Sequence, residues 1–306
     1  MRNKTINISV TDGIEYLEKA VLEKDLEKVE KFNNLCILGD TLTALEKLPK
    51  KSVDLLIADP PYNLNKTFGE NKFSEMTGDA YYDYTKTWLN KCIPLLKDNA
   101  TIYICCDWKS SSQIERALNE KATVINRITW QREKGRGAER NFKNGMEDIW
   151  FAVLGEDYKF NLSAVKQRRK VLAPYKQDGK PKDWFETPDG KYRDTCPSNF
   201  WDDISIPYWS MPENTAHPTQ KPEKLIAKLI LASSNIGDTV LDPFGGSGTT
   251  AVTAKKLDRN YITIEQNPQY VIWTEKRLES AENDKTIQGF EDGVFWERNT
   301  LIKRKK

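Results

Sequence analysis

The chain has 306 residues, of which 38% are hydrophobic and 30% charged, and its formal net charge is +2. This length allows one large domain plus a smaller lobe, and the composition is ordinary for a globular protein. The net charge is too small to indicate nucleic-acid binding by itself, so any basic surface must be local. No apolar run approaches the roughly 18 residues of a membrane span, and the N-terminus lacks a signal-peptide core. We therefore expect a cytoplasmic protein with no membrane partner.

The predicted elements begin with a charged amphipathic helix over residues 11–31, and strands and helices alternate from residue 34 onward. Strands are predicted at 36–39, 53–58, 101–106, 123–130, 147–154, 239–242 and 261–264. Helices are predicted at 41–48, 81–96, 111–119, 222–233 and from 248, with a long loop at 64–79. The alternation breaks between 155 and 215, and the polar tail from 281 is expected to fray. Such β/α alternation predicts an α/β fold with a parallel or mixed sheet covered by helices.

Cysteine and histidine are too sparse to predict a metal site. The chain has five cysteines and one histidine, His217, and no two cysteines form a C-x-x-C pair. Cys105 and Cys106 lie in an apolar run and are interpreted as core residues of a strand. We therefore expect neither a structural metal nor a disulfide.

The tetrad Asp59-Pro60-Pro61-Tyr62 directly follows the apolar strand at 53–58. Open α/β sheets place their ligands at the carboxyl ends of strands. The prolines stiffen the turn and leave carbonyl oxygens as acceptors, and Tyr62 adds a flat aromatic face. This combination suits a planar base that bears an exocyclic amino group. The alternative interpretation is a stiff turn that merely closes a strand.

A glycine-rich turn, Phe244 to Gly248, follows the strand that ends at Asp242. Its glycines let a ligand approach the backbone, and the next helix exposes free N–H groups at its N-terminus. Glu265 ends the next predicted strand, at a spacing that suits a carboxylate accepting from two ribose hydroxyls. The turn also fits the dinucleotide fingerprint, so an NAD-dependent oxidoreductase is an alternative. Too few residues follow Gly248 to complete a doubly wound sheet, which predicts a permuted order of the two halves.

In this order the motifs resemble the beta group of amino-methylating DNA methyltransferases, which places D-P-P-Y first and F-x-G-x-G near the C-terminus. Gly39-Asp40 and the H-P-T-x-K-P match at residues 217–222 extend the resemblance, as do the core strands at 128–130 and 147–150. It covers roughly residues 34–280. It implies a Rossmann-like S-adenosylmethionine-dependent methyltransferase fold, with a mixed, mostly parallel sheet, helices on both faces and a circularly permuted motif order.

The resemblance implies a site-specific DNA methyltransferase that transfers a methyl group from S-adenosylmethionine to N6 of a flipped-out adenine, as part of a restriction-modification system. Asp59 at the first motif position favours adenine, and cytosine-N4 methylation is the alternative. A catalytically dead nucleic-acid-binding module is a third interpretation. The implied parts of the chain are an N-terminal helical extension (1–33), a catalytic half (34–154), a target-recognition region (155–215), a cofactor-binding half (216–280) and a polar C-terminal tail (281–306).

The resemblance also assigns site residues and partners. The catalytic residues are Asp59, Pro60, Pro61 and Tyr62. The cofactor-binding residues are Asp40, Asp59, Thr219, Lys221, Asp242, Phe244, Gly245, Gly246, Ser247, Gly248, Thr249 and Glu265. Helix capping is the alternative role for Asp40 and Thr219. Basic stretches at 131–143 and 166–193 predict DNA contacts, and with the loop after the tetrad they supply Lys66, Arg132, Lys134, Arg136, Arg140, Lys143, Arg168, Arg169 and Lys170. DNA is the expected partner, with a homodimer and a cognate restriction endonuclease as further expectations.

Overall fold

A nine-stranded central sheet organises the fold in a computed structural model that describes residues 3–68, 71–132, 139–172 and 174–297. The α-helices are α1 Ile14–Leu17, α2 Thr41–Glu46, α3 Gly78–Cys92, α4 Ser111–Asn119, α5 Glu223–Ser233, α6 Thr249–Lys256 and α7 Pro268–Asn283. The strands are β1 Val21–Leu22, β2 Leu35–Leu38, β3 Val53–Ala58, β4 Lys66–Phe68, β5 Asn71–Phe73, β6 Leu96–Cys106, β7 Thr123–Gln131, β8 Met146–Val153, β9 Gln167–Lys170, β10 Lys176–Gln177, β11 Lys180–Pro181, β12 Phe185–Thr187, β13 Gly190–Thr195, β14 Phe200–Trp201, β15 Thr239–Asp242, β16 Asn260–Glu265, β17 Phe290–Glu291 and β18 Val294–Trp296.

The central sheet has the order β1-β2-β16-β15-β3-β6-β8-β7-β14. Every neighbouring pair from β1 to β6 is parallel, whereas β8 runs antiparallel to both β6 and β7. The carboxyl ends of β2, β16, β15, β3 and β6 therefore meet at one edge, and the start of β8 lies at that same edge. The predicted mixed, mostly parallel sheet is confirmed.

Helices cover both faces of the sheet because its central strands are apolar on both sides. In β3, Leu56 and Ala58 pack into a core with residues of α2, α3 and α4. The intervening Leu55 and Ile57 pack on the opposite face with residues of α5, α6 and α7. A parallel strand that is buried on both faces reads as a continuous hydrophobic run, which is why β3 could be predicted from sequence.

Side-chain caps fix the starts of three helices. Asp40 accepts a hydrogen bond from the Thr43 N–H at the start of α2, and Thr77 and Asn267 cap α3 and α7 in the same way. Within the described ranges, none of the helices combines the length and the apolar character that a bilayer span requires.

The predicted helix over 11–31 is wrong for most of its length. The α-helix covers only Ile14–Leu17, Val21–Leu22 form the edge strand β1, and Glu23–Lys28 form a 3₁₀ helix. Pairing with β2 explains the difference, since Val21 lies opposite Ile37 and extends the parallel sheet by one strand. The pairing of β1 with β2 therefore overrides the helical periodicity of the sequence in this segment.

Three segments expected to be irregular contain strands. The loop at 64–79 includes the hairpin β4–β5. Within the described residues, a second sheet has the order β12-β13-β9-β18-β17, which joins the 155–215 region to the C-terminal segment. Phe295 of β18 is fully buried, so the expectation of a fraying tail is wrong for residues 286–296, and residues 298–306 lie outside the described part.

Candidate active site

Four acidic residues lie at the carboxyl ends of four adjacent parallel strands. Asp40 follows β2, Glu265 ends β16, Asp242 ends β15 and Asp59 follows β3. A cavity of about 370 Å³ opens beside them. All the predicted catalytic residues line it, as do Lys66 and all the predicted cofactor-binding residues except Gly248. The fold thus brings two motifs that are far apart in sequence to one site.

At the predicted catalytic turn, residues 59–62, the Asp59 carboxylate is bound to Lys221. The Lys221 Nζ donates to Asp59 Oδ1 at 2.7 Å and to Oδ2 at 2.6 Å, and lies 5.2 Å from the centre of the Tyr62 ring. The Pro61 carbonyl accepts a hydrogen bond from the Tyr81 hydroxyl at 3.0 Å. Lys221, which the resemblance assigns to the cofactor, therefore also contacts the predicted catalytic carboxylate.

Sequence reasoning missed Glu147, a buried carboxylate behind the catalytic turn. Its Oε2 accepts from the Tyr62 hydroxyl at 2.9 Å and lies 3.3 Å from Lys221 Nζ, and its Oε1 pairs with Arg132. Burial raises the pKa of Glu147, but the positive charges of Lys221 and Arg132 outweigh burial and hold that pKa below its ordinary value. The segment around Glu147 resembled only a core strand, and its role depends on the antiparallel direction of β8.

Glycine is required in the cofactor turn by close contacts and by backbone conformation. A Cβ on Gly245 would lie 2.3 Å from Thr263 Oγ1, and Gly246 and Gly248 have φ of +53° and +75°. The turn is fastened by Glu265, whose Oε2 accepts from the Gly246 N–H at 2.8 Å. The local hydrogen bonds of Glu265 hold the turn in the conformation that faces the cavity.

Burial raises the pKa of two carboxyls at this edge to about 7, those of Asp242 and Glu265. Asp242 Oδ1 accepts from the Phe244 N–H at 3.0 Å, and Glu265 Oε1 accepts from the Asn267 N–H at 2.8 Å. Both carboxyls therefore hold neighbouring backbone in place while they line the cavity. Asp40 does the same, since it both caps α2 and lines the cavity.

The H-P-T-x-K-P segment closes one side of the cavity. The Thr219 N–H donates to His217 Nδ1 at 3.3 Å, and the His217 ring packs edge-on against Tyr270 with ring centres 4.5 Å apart. Burial lowers the pKa of His217 to about 3, so the imidazole is neutral at pH 7. The Lys221 carbonyl accepts from Thr249 Oγ1 at 3.1 Å, which ties this segment to the start of α6.

An aromatic wall also lines the cavity, and of its residues the sequence predicted only Phe244 as a site residue. Trp88 and Tyr84 of α3, Phe73 of β5 and Phe244 all line the cavity. Trp88 packs edge-on against Phe244 with ring centres 5.3 Å apart, and Phe73 packs against Tyr84 at 5.6 Å. Apolar ring faces beside carboxylates and backbone N–H groups make a pocket suited to a flat heteroaromatic ring with polar edges.

The predicted DNA contacts fall into separate groups. Lys66 and Arg132 lie at the catalytic turn, whereas Arg140, Lys143 and Lys170 are exposed elsewhere. Arg168 is held by Asp194 through two 2.8 Å hydrogen bonds, and Arg169 lies 3.9 Å from Glu297. Lys134 and Arg136 lie outside the described residues. In the part of the chain that the structure describes, no group of three or more His, Cys, Asp or Glu residues is arranged to hold a metal ion.

Comparison with known proteins decides the family. The family model described as DNA methylase matches residues 53–276. The chain belongs to the DNA methylase family. This DNA methylase is 34% identical over 250 residues to type II methyltransferase M.HpaI of Haemophilus parainfluenzae, which covers 81% of this chain and 74% of the relative. It is also 34% identical over 252 residues to the DNA adenine methyltransferase YhdJ of Escherichia coli K12, covering 80% and 82%.

Solved structures of DNA methyltransferases have the same fold as this DNA methylase. The PvuII DNA methyltransferase (cytosine-N4-specific) has a TM-score of 0.61 at 18% identity and covers 83% of this chain and 93% of its own. The complex of M1.HpyAVI with SAM has a TM-score of 0.51 at 24% identity and covers 79% and 98%. The predicted methyltransferase fold and the resemblance to the amino-methylating DNA methyltransferases are confirmed, and the oxidoreductase alternative is set aside.

Proposed function

We propose that this DNA methylase is a site-specific adenine methyltransferase that transfers a methyl group from S-adenosylmethionine to N6 of adenine in DNA, within a restriction-modification system. The observation that carries the proposal is the meeting of the Asp59 turn and the Phe244–Gly248 turn across one cavity. The relative named a DNA adenine methyltransferase supports adenine as the target base. The relative named a type II methyltransferase supports a role in restriction-modification.

The cavity fits S-adenosylmethionine in size and in its chemical groups. Pockets for such ligands typically measure roughly 300–1,000 Å³, and this one has acidic side chains, an aromatic wall and a glycine turn on its lining. Asp40 and Glu265 would hold the adenosine portion, and the 244–248 turn with Thr219 would hold the methionine portion. When bound, S-adenosylmethionine supplies an electrophilic methyl group.

The residues of the catalytic turn would activate the target amine. The exocyclic nitrogen of adenine is a poor nucleophile because its lone pair is delocalised into the ring. The Asp59 carboxylate and the Pro60 carbonyl would each accept a hydrogen bond from one of its two N–H groups. This favours rehybridisation of the nitrogen toward sp³ and stabilises the positive charge that develops on it. Tyr62 would stack on the base. No covalent enzyme intermediate is needed, so Cys105 and Cys106 act only as core residues.

DNA would enter at the carboxyl edge of the sheet. A base within a duplex cannot reach the cavity, so the target adenine must be flipped out of the stack. Lys66 and Arg132 lie beside the catalytic turn, where cations attract the phosphate backbone without reading sequence. A homodimer and a cognate restriction endonuclease that acts on the same site stay predictions.

The proposal is tested by expressing the protein in methylation-free cells and sequencing the host DNA for modified bases. We expect N6-methyladenine at one short sequence. Detection of N4-methylcytosine instead would show that the target base is cytosine. Asp59→Ala should abolish the signal, since removal of one transition-state acceptor or donor costs about 10²–10³ in rate. The purified variant should still bind S-adenosylmethionine in calorimetry. Methylation retained in Asp59→Ala would contradict the mechanism.

A further inference from the structure

A single buried ammonium lies between two carboxylates at the catalytic turn. Lys221 Nζ is 2.6 Å and 2.7 Å from the two oxygens of Asp59 and 3.3 Å from Glu147 Oε2. The Lys221 and Glu147 side chains are only 7% and 6% exposed, whereas Asp59 is 25% exposed and faces the cavity. The two carboxylates thus differ in access, since Asp59 lines the cavity and Glu147 lies behind it.

This arrangement weakens Asp59 in the role proposed for it. Both Asp59 oxygens accept from Lys221, and this ammonium makes the carboxylate a weaker acceptor for the incoming amine of the target base, although each oxygen keeps a second lone pair. A buried ammonium cannot simply give up its anionic partner, because an unpaired charge in a protein interior is strongly unfavourable. For Asp59 to become the stronger acceptor, Lys221 therefore needs a second anionic partner within reach.

Glu147 meets that requirement. Its Oε2 is the nearer oxygen to Lys221, and its Oε1 is already held by Arg132, so the carboxylate is fixed in place. The same Oε2 accepts from the Tyr62 hydroxyl at 2.9 Å, which orients the ring expected to stack on the base. Two cations and two carboxylates balance locally, so a small shift of Lys221 changes the pairing without leaving a net charge.

We propose that Glu147 is a positioning residue that receives the Lys221 ammonium when the target amine enters, and thereby frees the Asp59 carboxylate to accept from that amine. This inference rests on the proposed function. Lys221 moves within its own side-chain reach, and no bond is made or broken in the shift. Glu147 at the same time keeps the Tyr62 ring oriented through its hydroxyl.

The test removes the charge of Glu147 while keeping the shape of its side chain. Glu147→Gln can still accept from the Tyr62 hydroxyl but no longer attracts Lys221. We expect kcat for DNA methylation to fall at least about tenfold while KM for S-adenosylmethionine changes less than about twofold, the pattern of an interaction made only in the transition state. Glu147→Asp keeps the charge and should retain a higher kcat than Glu147→Gln. The matched control is Asp148→Asn, the neighbouring buried carboxylate, which binds Thr129 and should leave kcat unchanged.

A double variant separates the proposed route from general damage. If Glu147 acts through Lys221, the loss caused by Glu147→Gln should disappear in a Lys221→Met background, whereas independent effects would multiply. Calorimetric binding of S-adenosylmethionine and thermal unfolding of each variant provide readouts besides activity. A kcat within twofold of wild type in Glu147→Gln, or multiplying losses in the double variant, would overturn the inference. A wild-type protein that methylates no DNA would overturn the proposed function and this inference with it.

Discussion

At the scale of single residues, the carboxyls beneath the cofactor turn combine deep burial with local hydrogen bonds. Asp242 is 4% exposed and has a pKa raised by burial to about 7, although it accepts from the Phe244 N–H. In the unfolded chain the same carboxyl ionises near pH 4. The folded protein therefore binds one more proton than the unfolded chain between about pH 4 and 7, and this residue makes stability fall as the pH rises through that window.

Asp242→Asn should remove this pH dependence, because an amide keeps the acceptor oxygen and carries no charge. We expect the free energy of unfolding of the variant, relative to wild type, to rise by about 2–3 kcal/mol between pH 5 and pH 8. Urea unfolding of both proteins at the two pH values measures it. Comparison with wild type cancels carboxyls whose pKa is lowered, such as Glu147, which act in the opposite direction. Parallel profiles of the two proteins would contradict the prediction.

At the scale of elements, α5 connects the candidate active site to the second sheet. Lys221 precedes α5 and contacts Asp59, while Lys224 and Lys228 on α5 bind Asp203 at 2.6 Å and 3.2 Å. Lys224 Nζ also donates to the Trp296 carbonyl at 2.6 Å, in β18. One short segment thus contacts the catalytic turn, the region before the H-P-T-x-K-P motif and the C-terminal strand.

Asp203→Asn should be strongly destabilising, because it leaves two buried ammonium groups without their shared carboxylate. The expected loss is about 3–5 kcal/mol, typical of breaking a buried ion pair from one side. Asp202→Asn, at an exposed neighbouring position, is the matched control and should change stability by less than about 0.5 kcal/mol. Adding Lys228→Met to Asp203→Asn should restore part of the loss, since it removes the ammonium that Asp203 Oδ1 accepts from. Urea unfolding curves measure all three, and an unchanged midpoint in Asp203→Asn would refute the role given to this cluster.

The elements that sequence predicted well are those buried on both faces. β3 is a largely apolar run, and β15 is marked by the glycine turn after it, which has a distinctive local pattern. The second sheet was missed because its strands are only two to six residues long and some of them are polar, as in Gln167–Lys170 of β9. Its pairing of β9 with β18 joins distant parts of the chain, which no local pattern encodes.

The same limit applies to the site. The tetrad and the glycine turn could be predicted because each is contiguous in sequence. The bond between Lys221 and Asp59 spans 162 residues and depends on the strand order of the whole sheet. Glu147 reaches Tyr62 only because β8 runs antiparallel to β6 and begins at the carboxyl edge. Sequence motifs therefore predicted which segments form the site, whereas the pairing of charges within it required the fold.

At the scale of the whole molecule, a net charge of +2 makes the placement of single cations decisive for DNA binding. The carboxyl edge of the sheet holds the catalytic turn, and exposed Lys143 lies just before β8, which starts at this edge. Lys51 is also exposed, but it pairs with Asp98 at 2.5 Å and lies just before β3, at the opposite edge of the sheet. Arg168 is occupied by Asp194 within the second sheet. Lys143 is therefore placed to contact a DNA phosphate beside the predicted catalytic turn, whereas Lys51 and Arg168 are not.

Lys143→Gln should weaken DNA binding and reduce the magnitude of the slope of log K against log salt concentration by about 0.9, the contribution of one phosphate contact on duplex DNA. Lys51→Gln removes the same charge from the opposite edge and should leave the slope unchanged, because a screened charge about a Debye length or more from the phosphates contributes little. Arg168→Gln should lower the melting temperature and leave the salt slope unchanged, since its guanidinium is bound to Asp194. Fluorescence anisotropy with a labelled duplex over a salt series measures the slopes. Equal slopes for Lys143→Gln and Lys51→Gln would show that DNA does not approach along the edge that carries Asp59.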